Sequence, residues 1–166
     1  FHNIAQTHEK LGNYQGYLSY MKKAYKIRKR ELPSEHVDLE ISIHELGRAY
    51  GNLGYYAKGL LYLSRSLDMW IKSPASDDLD IAKTYINMGR AYRNLNQHDQ
   101  ELKYLIKGFE IDQKKYPADH LYIGIDKNYL AAAYLSLGDK ERARTCIMES
   151  LEIFEKPETE TLHKVN

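Results

Sequence analysis

The chain has 166 residues, with 24 lysines and arginines against 23 aspartates and glutamates, which leaves a net charge of +1. A chain of this length can bury a core of its own, and the balanced charge offers no bulk attraction to nucleic acid or to an anionic membrane. No apolar run approaches the roughly 20 residues that cross a bilayer. The single cysteine, Cys146, excludes an internal disulfide and favours a reducing, cytoplasmic compartment. We therefore expect neither nucleic acid nor a membrane as a partner.

A leucine followed by glycine or asparagine recurs at residues 11, 53, 95 and 137, which is once every 42 residues. Small residues recur with it, seven positions before and twelve positions after the glycine position. They are Ala5, Gly47, Gly89 and Ala131 before it, and Ala24, Ser66, Gly108 and Ser150 after it. Such a period is typical of a solenoid, in which each copy buries its apolar face against the next. The pattern predicts copies at about residues 1–34, 35–76, 77–118 and 119–157.

Each copy is predicted to contain two helices, A and B. Helix A of the second copy carries Ile43, Leu46, Tyr50 and Leu53, at the spacing of one helical face. Glycine then ends helix A, because it adopts a left-handed conformation at little cost, and Asn96 is the next most tolerant residue. A proline stops helix B, and an aspartate, serine or glutamate is expected to cap the next helix A. Strand signals are scarce, so the predicted fold is all-α, a right-handed α-solenoid of about four helical hairpins.

The two ends of the sequence fall inside this repeat pattern. Helix A of the first copy would begin before residue 1, and residues 158–166 lie where a fifth helix A would start. We therefore expect residues 1–166 to form a single array that is a fragment of a longer one.

The repeated motifs resemble those of the tetratricopeptide repeat family. The stretches GRAY at 47–50, GRAY at 89–92 and AAAY at 131–134 match its helix A, and Tyr14 and Tyr56 match the aromatic residue that follows the Leu-Gly pair. The period of 42 residues exceeds the usual 34 or so. Together with the linkers at 33–38 and 117–120, it is similar to the kinesin light chain type of repeat. The resemblance implies a protein-binding solenoid.

No group of residues predicts catalysis or a cofactor. His44 and Glu45 begin like the helix of a zinc protease, but the second histidine one turn later is replaced by Arg48. The glycines at 47, 51 and 54 lie inside a helix and follow no strand, so they do not form a phosphate loop. Cys146 occupies a packing position of helix B. We predict no catalytic residues, no metal site, no cofactor and no enzymatic activity.

The basic run at residues 21–30, MKKAYKIRKR, falls on helix B of the first copy. It could contact an acidic or phosphate-rich partner. Solvated basic residues also favour the end of a helix through its dipole. Because the overall charge adds no support for an anionic partner, the solvated face is the favoured interpretation.

The exposed stripe of helix A is expected to line the concave groove of the solenoid and to bind a ligand there. An asparagine amide can pair with the backbone of an extended peptide, and arginine can bind a carboxylate with two hydrogen bonds. In the fourth copy either Asn128 or Tyr129 fits the stripe. The predicted groove residues are Asn3, Gln6, Lys10, Glu45, Arg48, Asn52, Lys83, Asn87, Arg90, Arg93, Asn94 and Asn128.

In peptide-binding members of the family, asparagine, lysine and arginine at matching positions hold acidic or carboxylate-ended ligands. The resemblance implies that role for Asn3, Arg48, Lys83, Asn87, Arg90 and Arg93. The alternative is a surface network within the chain, in which Glu45 pairs with Arg48 three residues later and with Arg90 on the neighbouring helix.

The sequence as a whole predicts a non-enzymatic interaction module that binds an extended or acidic protein segment, within a scaffold or transport-adaptor protein. Two alternatives stay open. The array could be the sensor or regulatory region of a larger signalling protein or enzyme, or a permanent architectural subunit of a large assembly such as a cytoskeletal one. The sequence names neither the partner nor the oligomeric state.

Overall fold

The structure, a computed structural model, describes residues 2–34, 36–73 and 77–155. These residues form eight α-helices and no strand. The helices are α1 (His2–Lys10), α2 (Tyr14–Glu31), α3 (Val37–Asn52), α4 (Tyr56–Lys72), α5 (Asp78–Asn94), α6 (His98–Lys115), α7 (Leu121–Ser136) and α8 (Lys140–Phe154). The odd-numbered helices are the predicted helices A and the even-numbered ones the helices B. The all-α solenoid of helical hairpins is therefore confirmed.

Each hairpin turns at the residue that the repeat pattern singles out. Gly12, Gly54 and Gly138 have φ angles of 71°, 81° and 80°, and Asn96 has a φ of 56°. Side chains with a Cβ are strained in this left-handed region, which glycine enters freely and asparagine tolerates. The predicted left-handed turns are therefore present in all four copies.

The linkers between hairpins differ from the prediction in how they cap the next helix A. Asp77 accepts a hydrogen bond from the backbone N–H of Leu79 at 3.1 Å, as expected of an aspartate cap. At the other two linkers the cap is a histidine: Nδ1 of His36 and Nδ1 of His120 accept the equivalent bond at 3.1 and 3.2 Å. The expectation of aspartate, serine or glutamate was wrong there, because a neutral imidazole nitrogen offers the same lone pair to the helix N-terminus.

Within each hairpin the helices approach most closely at small residues. A methyl group added to Gly59 on α4 would lie 3.0 Å from the carbonyl oxygen of Gly47 on α3. In the next hairpin, a methyl on Gly89 would lie 2.8 Å from the side chain of Leu105. Such distances leave no room for a larger residue. The recurring small residues are therefore explained by helix packing alone.

Each helix packs on the helices before and after it, and α3 also touches α5. The helices A thus form a continuous surface, while stacked tyrosine rings such as Tyr50 on Tyr62 and Tyr92 on Tyr104, at 5.3 and 5.2 Å, close the hairpins. Among the described residues no helix is both long and apolar enough to span a membrane. The predicted further helix at residues 158–166 lies outside the described residues, and the copy boundaries stay predictions.

Candidate functional site

A cavity of about 270 Å³ is lined mainly by α3, α4 and α5, with one residue each from α1 and α2. We call it the groove cavity. Five predicted groove residues line it, namely Arg48, Asn52, Asn87, Arg90 and Asn94, and they are joined by Glu9 of α1. Gly51 also lines the cavity, and a Cβ added to it would meet no atom within 4 Å. The missing side chain of this glycine therefore leaves part of the cavity open. The repeat therefore brings cationic and carboxamide side chains from neighbouring copies around one opening.

Arg48 is held by carboxylates of its own chain. Its Nη1 donates to both oxygens of Glu45, at 2.9 and 3.1 Å, and its Nη2 donates to Glu9 at 2.5 Å. The hydroxyl of the fully buried Tyr17 donates a third hydrogen bond to Glu45. Two carboxylates and a phenol from three helices thus surround one guanidinium. We call Glu9, Tyr17, Glu45 and Arg48 the ionic network.

The electrostatics of the ionic network favour its charged form. Burial raises the pKa of Glu45, but the Arg48 charge and the hydrogen bonds from Tyr17 and Arg48 outweigh burial and hold this pKa below its ordinary value. Burial also lowers the pKa of Arg48, and here the charge of Glu45 prevails and raises it. Burial and the neighbouring Glu45 charge raise the pKa of Tyr17, so the phenol keeps its proton. Glu45 is therefore ionised and Arg48 is already paired.

Arg90 occupies the same repeat position as Arg48 but has different neighbours. It is exposed, its Nη1 lies 3.5 Å from Oδ1 of Asn87, and its guanidinium carbon lies 5.8 Å from the centre of the Tyr129 ring. Over residues 2–34, 36–73 and 77–155, Arg90 forms no ion pair. The predicted pair of Glu45 with Arg48 is thus confirmed, whereas the predicted contact of Arg90 with Glu45 is wrong, because Arg48 and Tyr17 already occupy that carboxylate.

The buried side chain of His44 orients the carboxamide of Asn87, which lies beside Arg90. Nδ2 of Asn87 lies 3.5 Å from Nε2 of His44, whose Nδ1 lies 3.1 Å from Oγ1 of Thr84. The Thr84 hydroxyl donates to the carbonyl oxygen of Asp80 at 2.7 Å, so it is free to accept the Nδ1 proton. Burial lowers the pKa of His44 to about 4. The neutral ring therefore accepts from Asn87, and this turns the carboxamide oxygen of Asn87 towards Arg90.

Two further carboxamides lie at the rim of the groove cavity. Asn52 and Asn94 occupy equivalent positions at the ends of α3 and α5, and both are exposed. Nδ2 of Asn94 donates to the backbone oxygen of Arg90 at 2.8 Å. This bond holds the side chain of Asn94 against the helix and leaves its oxygen as an acceptor.

Other predicted groove residues are placed apart from the groove cavity. Lys83 lies 3.4 Å from Asp80 on its own helix, and Arg93 lies 3.8 Å from the buried carboxylate of Glu101. Asn128 accepts a hydrogen bond from the Ser150 hydroxyl at 2.7 Å, inside the fourth hairpin. Asn128 is exposed but does not line the groove cavity, and its role in a wider groove stays a prediction. Asn128 takes the repeat position of His44, and Tyr129 takes that of Asn87.

Three predicted residues belong to the first copy: Asn3, Gln6 and Lys10 are exposed on α1 and do not line the groove cavity. The acidic residue that does reach it, Glu9, was not predicted. A signal for Glu9 existed, because it takes the repeat position of Gly51 and Arg93, which adjoin the predicted stripe.

Tyr17 was not predicted as part of the site either. It takes the repeat position of Gly59 and Ala143, where a small residue is usual, and that departure was the available signal. Only the stacking of the first hairpin on the second brings its hydroxyl to Glu45.

The remaining candidates support no chemistry of their own. Within the described residues no group of three or more potential ligands could hold a metal ion. Burial raises the pKa of Cys146, which keeps the thiol protonated. In the basic run, Arg28 donates to the Ser42 hydroxyl at 2.7 Å and Lys22 lies 5.4 Å from the Tyr50 ring, so both have intramolecular partners.

The sequence matches family models of one repeat along nearly its whole length. A model of the tetratricopeptide repeat matches residues 39–114 and 80–156, and a second model of the same repeat matches residues 1–38. The chain belongs to the tetratricopeptide repeat family. Proteins of this family are protein-interaction scaffolds and are generally not enzymes. No curated protein matches the chain in sequence.

Three solved structures share the fold of this chain. A predicted kinesin light chain of Podosopora anserina, with nearly identical TPR-like repeats, has a TM-score of 0.79 at 22% identity, over 96% of this chain and 74% of that one. BtubC (BKLC) from P. vanneervenii has a TM-score of 0.79 at 17% identity, over 90% and 60% of the two chains. The apo form of RapI has a TM-score of 0.78 at 18% identity, over 98% and 56%. The predicted kinesin light chain type of repeat is thus confirmed at the level of the fold.

Proposed function

We propose that this tetratricopeptide array is a non-enzymatic interaction module whose groove cavity binds an extended protein segment, with a carboxylate of that segment on Arg90. The observation that carries the proposal is the contrast between the two equivalent arginines. Arg48 has two carboxylate partners in its own chain, whereas Arg90 is exposed beside the same cavity and has none among the described residues. An arginine oriented by neighbours but left without a counterion is suited to a bidentate carboxylate ligand.

The groups around Arg90 fit a peptide better than a small anion. Asn52, Asn87 and Asn94 add carboxamides that pair with backbone N–H and C=O groups, as an extended segment requires. The ring of Tyr129 supports the guanidinium from the side of the fourth hairpin. A bound segment would therefore run from α3 across α5 towards α7.

The wider role that we propose is that of a scaffold or transport adaptor in the reducing cytoplasm. The kinesin light chain type of repeat supports it. Because proteins of the family are generally not enzymes, we propose no catalytic activity and no cofactor for this chain, and neither a membrane nor a nucleic acid as partner. A sensor region of a larger protein would use the same groove and is compatible with this proposal.

A permanent architectural contact is the second candidate, because α8 exposes large apolar side chains. Met148, Leu151 and Phe154 are 52%, 48% and 40% exposed. Met148→Glu combined with Leu151→Glu would abolish binding of a partner that covers this face, whereas Arg90 variants would leave that binding unchanged. The opposite pattern supports the groove.

The groove proposal is tested by selecting ligands from a library of random ten-residue peptides on the immobilised chain, then measuring fluorescence anisotropy. The selected peptides should be enriched in aspartate, glutamate or a free C-terminal carboxylate. Arg90→Gln should weaken their binding roughly tenfold or more, the usual loss for a hydrogen-bonded charged group. Salt should weaken binding to the unmodified chain more than to the variant.

Arg65→Gln is the matched control, because Arg65 is also exposed, lies on α4 and forms no ion pair with any described residue. It should leave affinity unchanged, and circular dichroism should be the same for both variants. Selection of peptides without acidic groups, or equal affinity for the Arg90 and Arg65 variants, would overturn the proposal.

A further inference from the structure

Two carboxyl groups face each other inside the junction of the third and fourth hairpins. Asp112 on α6 is 8% exposed and Asp126 on α7 is 5% exposed, and they take the repeat positions of Arg28 and Ser42, whose side chains meet at 2.7 Å across the first junction. The buried Oδ2 of Asp126 meets no N–H or hydroxyl donor in the described part of the chain. Two carboxylates cannot donate to one another, so a hydrogen bond between Asp112 and Asp126 requires a proton between them. We call these residues the aspartate pair.

The two preceding junctions place different chemistry at the same repeat positions. Between the first and second hairpins, Arg28 donates to the Ser42 hydroxyl at 2.7 Å. Between the second and third, the Trp70 ring packs at a tilt against His44, with the ring centres 5.0 Å apart, and His44 is hydrogen-bonded to Thr84 at 3.1 Å. At both junctions the hydrogen bonds of the hydroxyl groups and the ring contact form at neutral pH without the uptake of a proton. Only the aspartate pair depends on the binding of an additional proton.

The charges around the aspartate pair act mainly on Asp112. Burial raises the pKa of Asp112, and the charge of Lys83 on α5 opposes this rise, as does His120 at the start of α7 when its ring is protonated. On the α8 side, Lys127 is bound to Glu149 at 2.5 Å. Burial first, and then the hydrogen bond and charge of Asp112, raise the pKa of Asp126 to about 8. Asp126 therefore holds the proton and donates it to Asp112.

We propose that the aspartate pair is a pH-sensitive lock between the third and fourth hairpins, held closed by one shared proton. With the proton in place, α6 and α7 are joined by a buried hydrogen bond between a carboxylic acid and a carboxylate. Without it, two negative charges lie side by side in the junction, and separation of α7 and α8 from α6 relieves both their repulsion and their desolvation. Because each hairpin of a solenoid contacts only its neighbours, the opening is confined to the fourth hairpin.

The sign of the pH dependence is opposite to that of an ordinary ion-paired carboxylate. The folded-state pKa of Asp126 lies above its ordinary value of 3.8. The stabilising effect of its proton is therefore complete below about pH 4, declines as the pH rises, and is lost once the pH exceeds the folded value of about 8. The lock thus opens as the solution becomes mildly alkaline.

Hydrogen exchange of the intact chain tests the lock, with rates corrected for the intrinsic effect of pH. Between pH 6 and pH 8, protection of the α7 and α8 amides should fall by roughly 100-fold, because each pH unit of linkage to one proton changes the opening constant about tenfold. Protection of α3 and α4 should not follow this decrease. Asp126→Asn, whose amide donates to Asp112 without a titrating proton, should abolish the decrease. Asp99→Asn, on an exposed side chain of α6, should leave it intact.

A decrease that persists in Asp126→Asn, or that is equal in α3 and α4, would overturn the proposal. Should that variant not fold, carbon NMR of the Asp126 carboxyl in the unmodified chain decides the matter. A titration midpoint near pH 8 supports the lock, and a midpoint in the ordinary range of aspartate, about 4, would exclude it.

Discussion

Arg48 and Arg90 occupy the same repeat position, and both line the groove cavity, yet they differ in whether a carboxylate of the chain pairs with them. Arg48 closes a network with Glu9 and Glu45, and its side chain is 32% exposed. Arg90 rests near Tyr129 and Asn87 with no described carboxylate bound to it. The first arginine joins two hairpins, and the second faces the solvent beside the cavity.

The difference shows that a repeated residue need not have a repeated role. The residue three positions before each arginine decides the outcome: it is Glu45 before Arg48 and Asn87 before Arg90. A carboxylate at that position satisfies the guanidinium within the chain, whereas a carboxamide orients it and leaves its charge available. We therefore expect stability to depend on the second hairpin's arginine and ligand binding to depend on the third's.

The largest expected effect is on stability at Arg48. Arg48→Met would keep the aliphatic part of the side chain but leave Glu9 and Glu45 beside each other without a cation. Removing the shared cation of these partly buried pairs should cost about 2 kcal/mol, between the values typical of exposed and of buried ion pairs. Urea unfolding at pH 7 measures the loss. Arg90→Met is the matched control and should change the free energy of unfolding by about 0.5 kcal/mol or less; equal losses in the two variants would contradict the comparison.

A smaller effect is expected at the phenol of the ionic network. Tyr17→Phe removes one hydrogen bond to the Glu45 carboxylate and should cost about 1.5 kcal/mol at pH 7. The pKa of Glu45 lies below its ordinary value of 4.5, so the stability that it contributes is present above that value and is lost as the pH falls through the lowered pKa.

The deficit of Tyr17→Phe should accordingly narrow in acid, once Glu45 is protonated in both proteins. Urea unfolding at pH 7 and at pH 3 gives the two differences. A deficit that stays the same at both pH values would show that lost packing, and not the bond to Glu45, accounts for it.

The smallest expected effect would make Arg48 more like Arg90. Glu9→Gln releases Nη2 of Arg48 and removes a negative charge from the groove cavity. It should lower stability by only about 0.5 kcal/mol, as is usual for a partly exposed pair. Acidic peptides selected on the unmodified chain should bind roughly threefold more tightly, because like charges oppose association. Anisotropy titrations measure this. Glu110→Gln, an exposed residue of α6, is the control and should show no gain.

Much of the site could be predicted because exposed positions on a helix follow from periodicity. Arg48, Asn52, Asn87, Arg90 and Asn94 line one cavity, as their shared helical face suggests. Asn128 does not line this cavity. Two neighbouring residues fitted the stripe there, and a shift of one position turns a side chain by about 100° around the helix. The 42-residue spacing alone would have selected Tyr129, since it aligns with Asn87.

The partners of these residues could not be predicted in the same way. Glu9 is 39 residues from Arg48 and Tyr17 is 28 residues from Glu45. Such contacts depend on how one hairpin stacks on the next, and small differences in crossing angle decide which side chains meet. The aspartate pair was missed for the same reason, because neither residue stands out on its own helix.

The sequence by itself determined the repeat: its period, its two helices per copy, the left-handed turns at glycine and asparagine, and the small residues at the crossings. These features are local, since apolar periodicity and backbone freedom act within a few residues. Only the tertiary structure decided that Arg48 also gains Glu9 from the first hairpin, whereas Arg90 gains no described carboxylate from a neighbouring one. That outcome depends on burial and on carboxylates brought from other hairpins, and a charge has its role set by the groups around it in space.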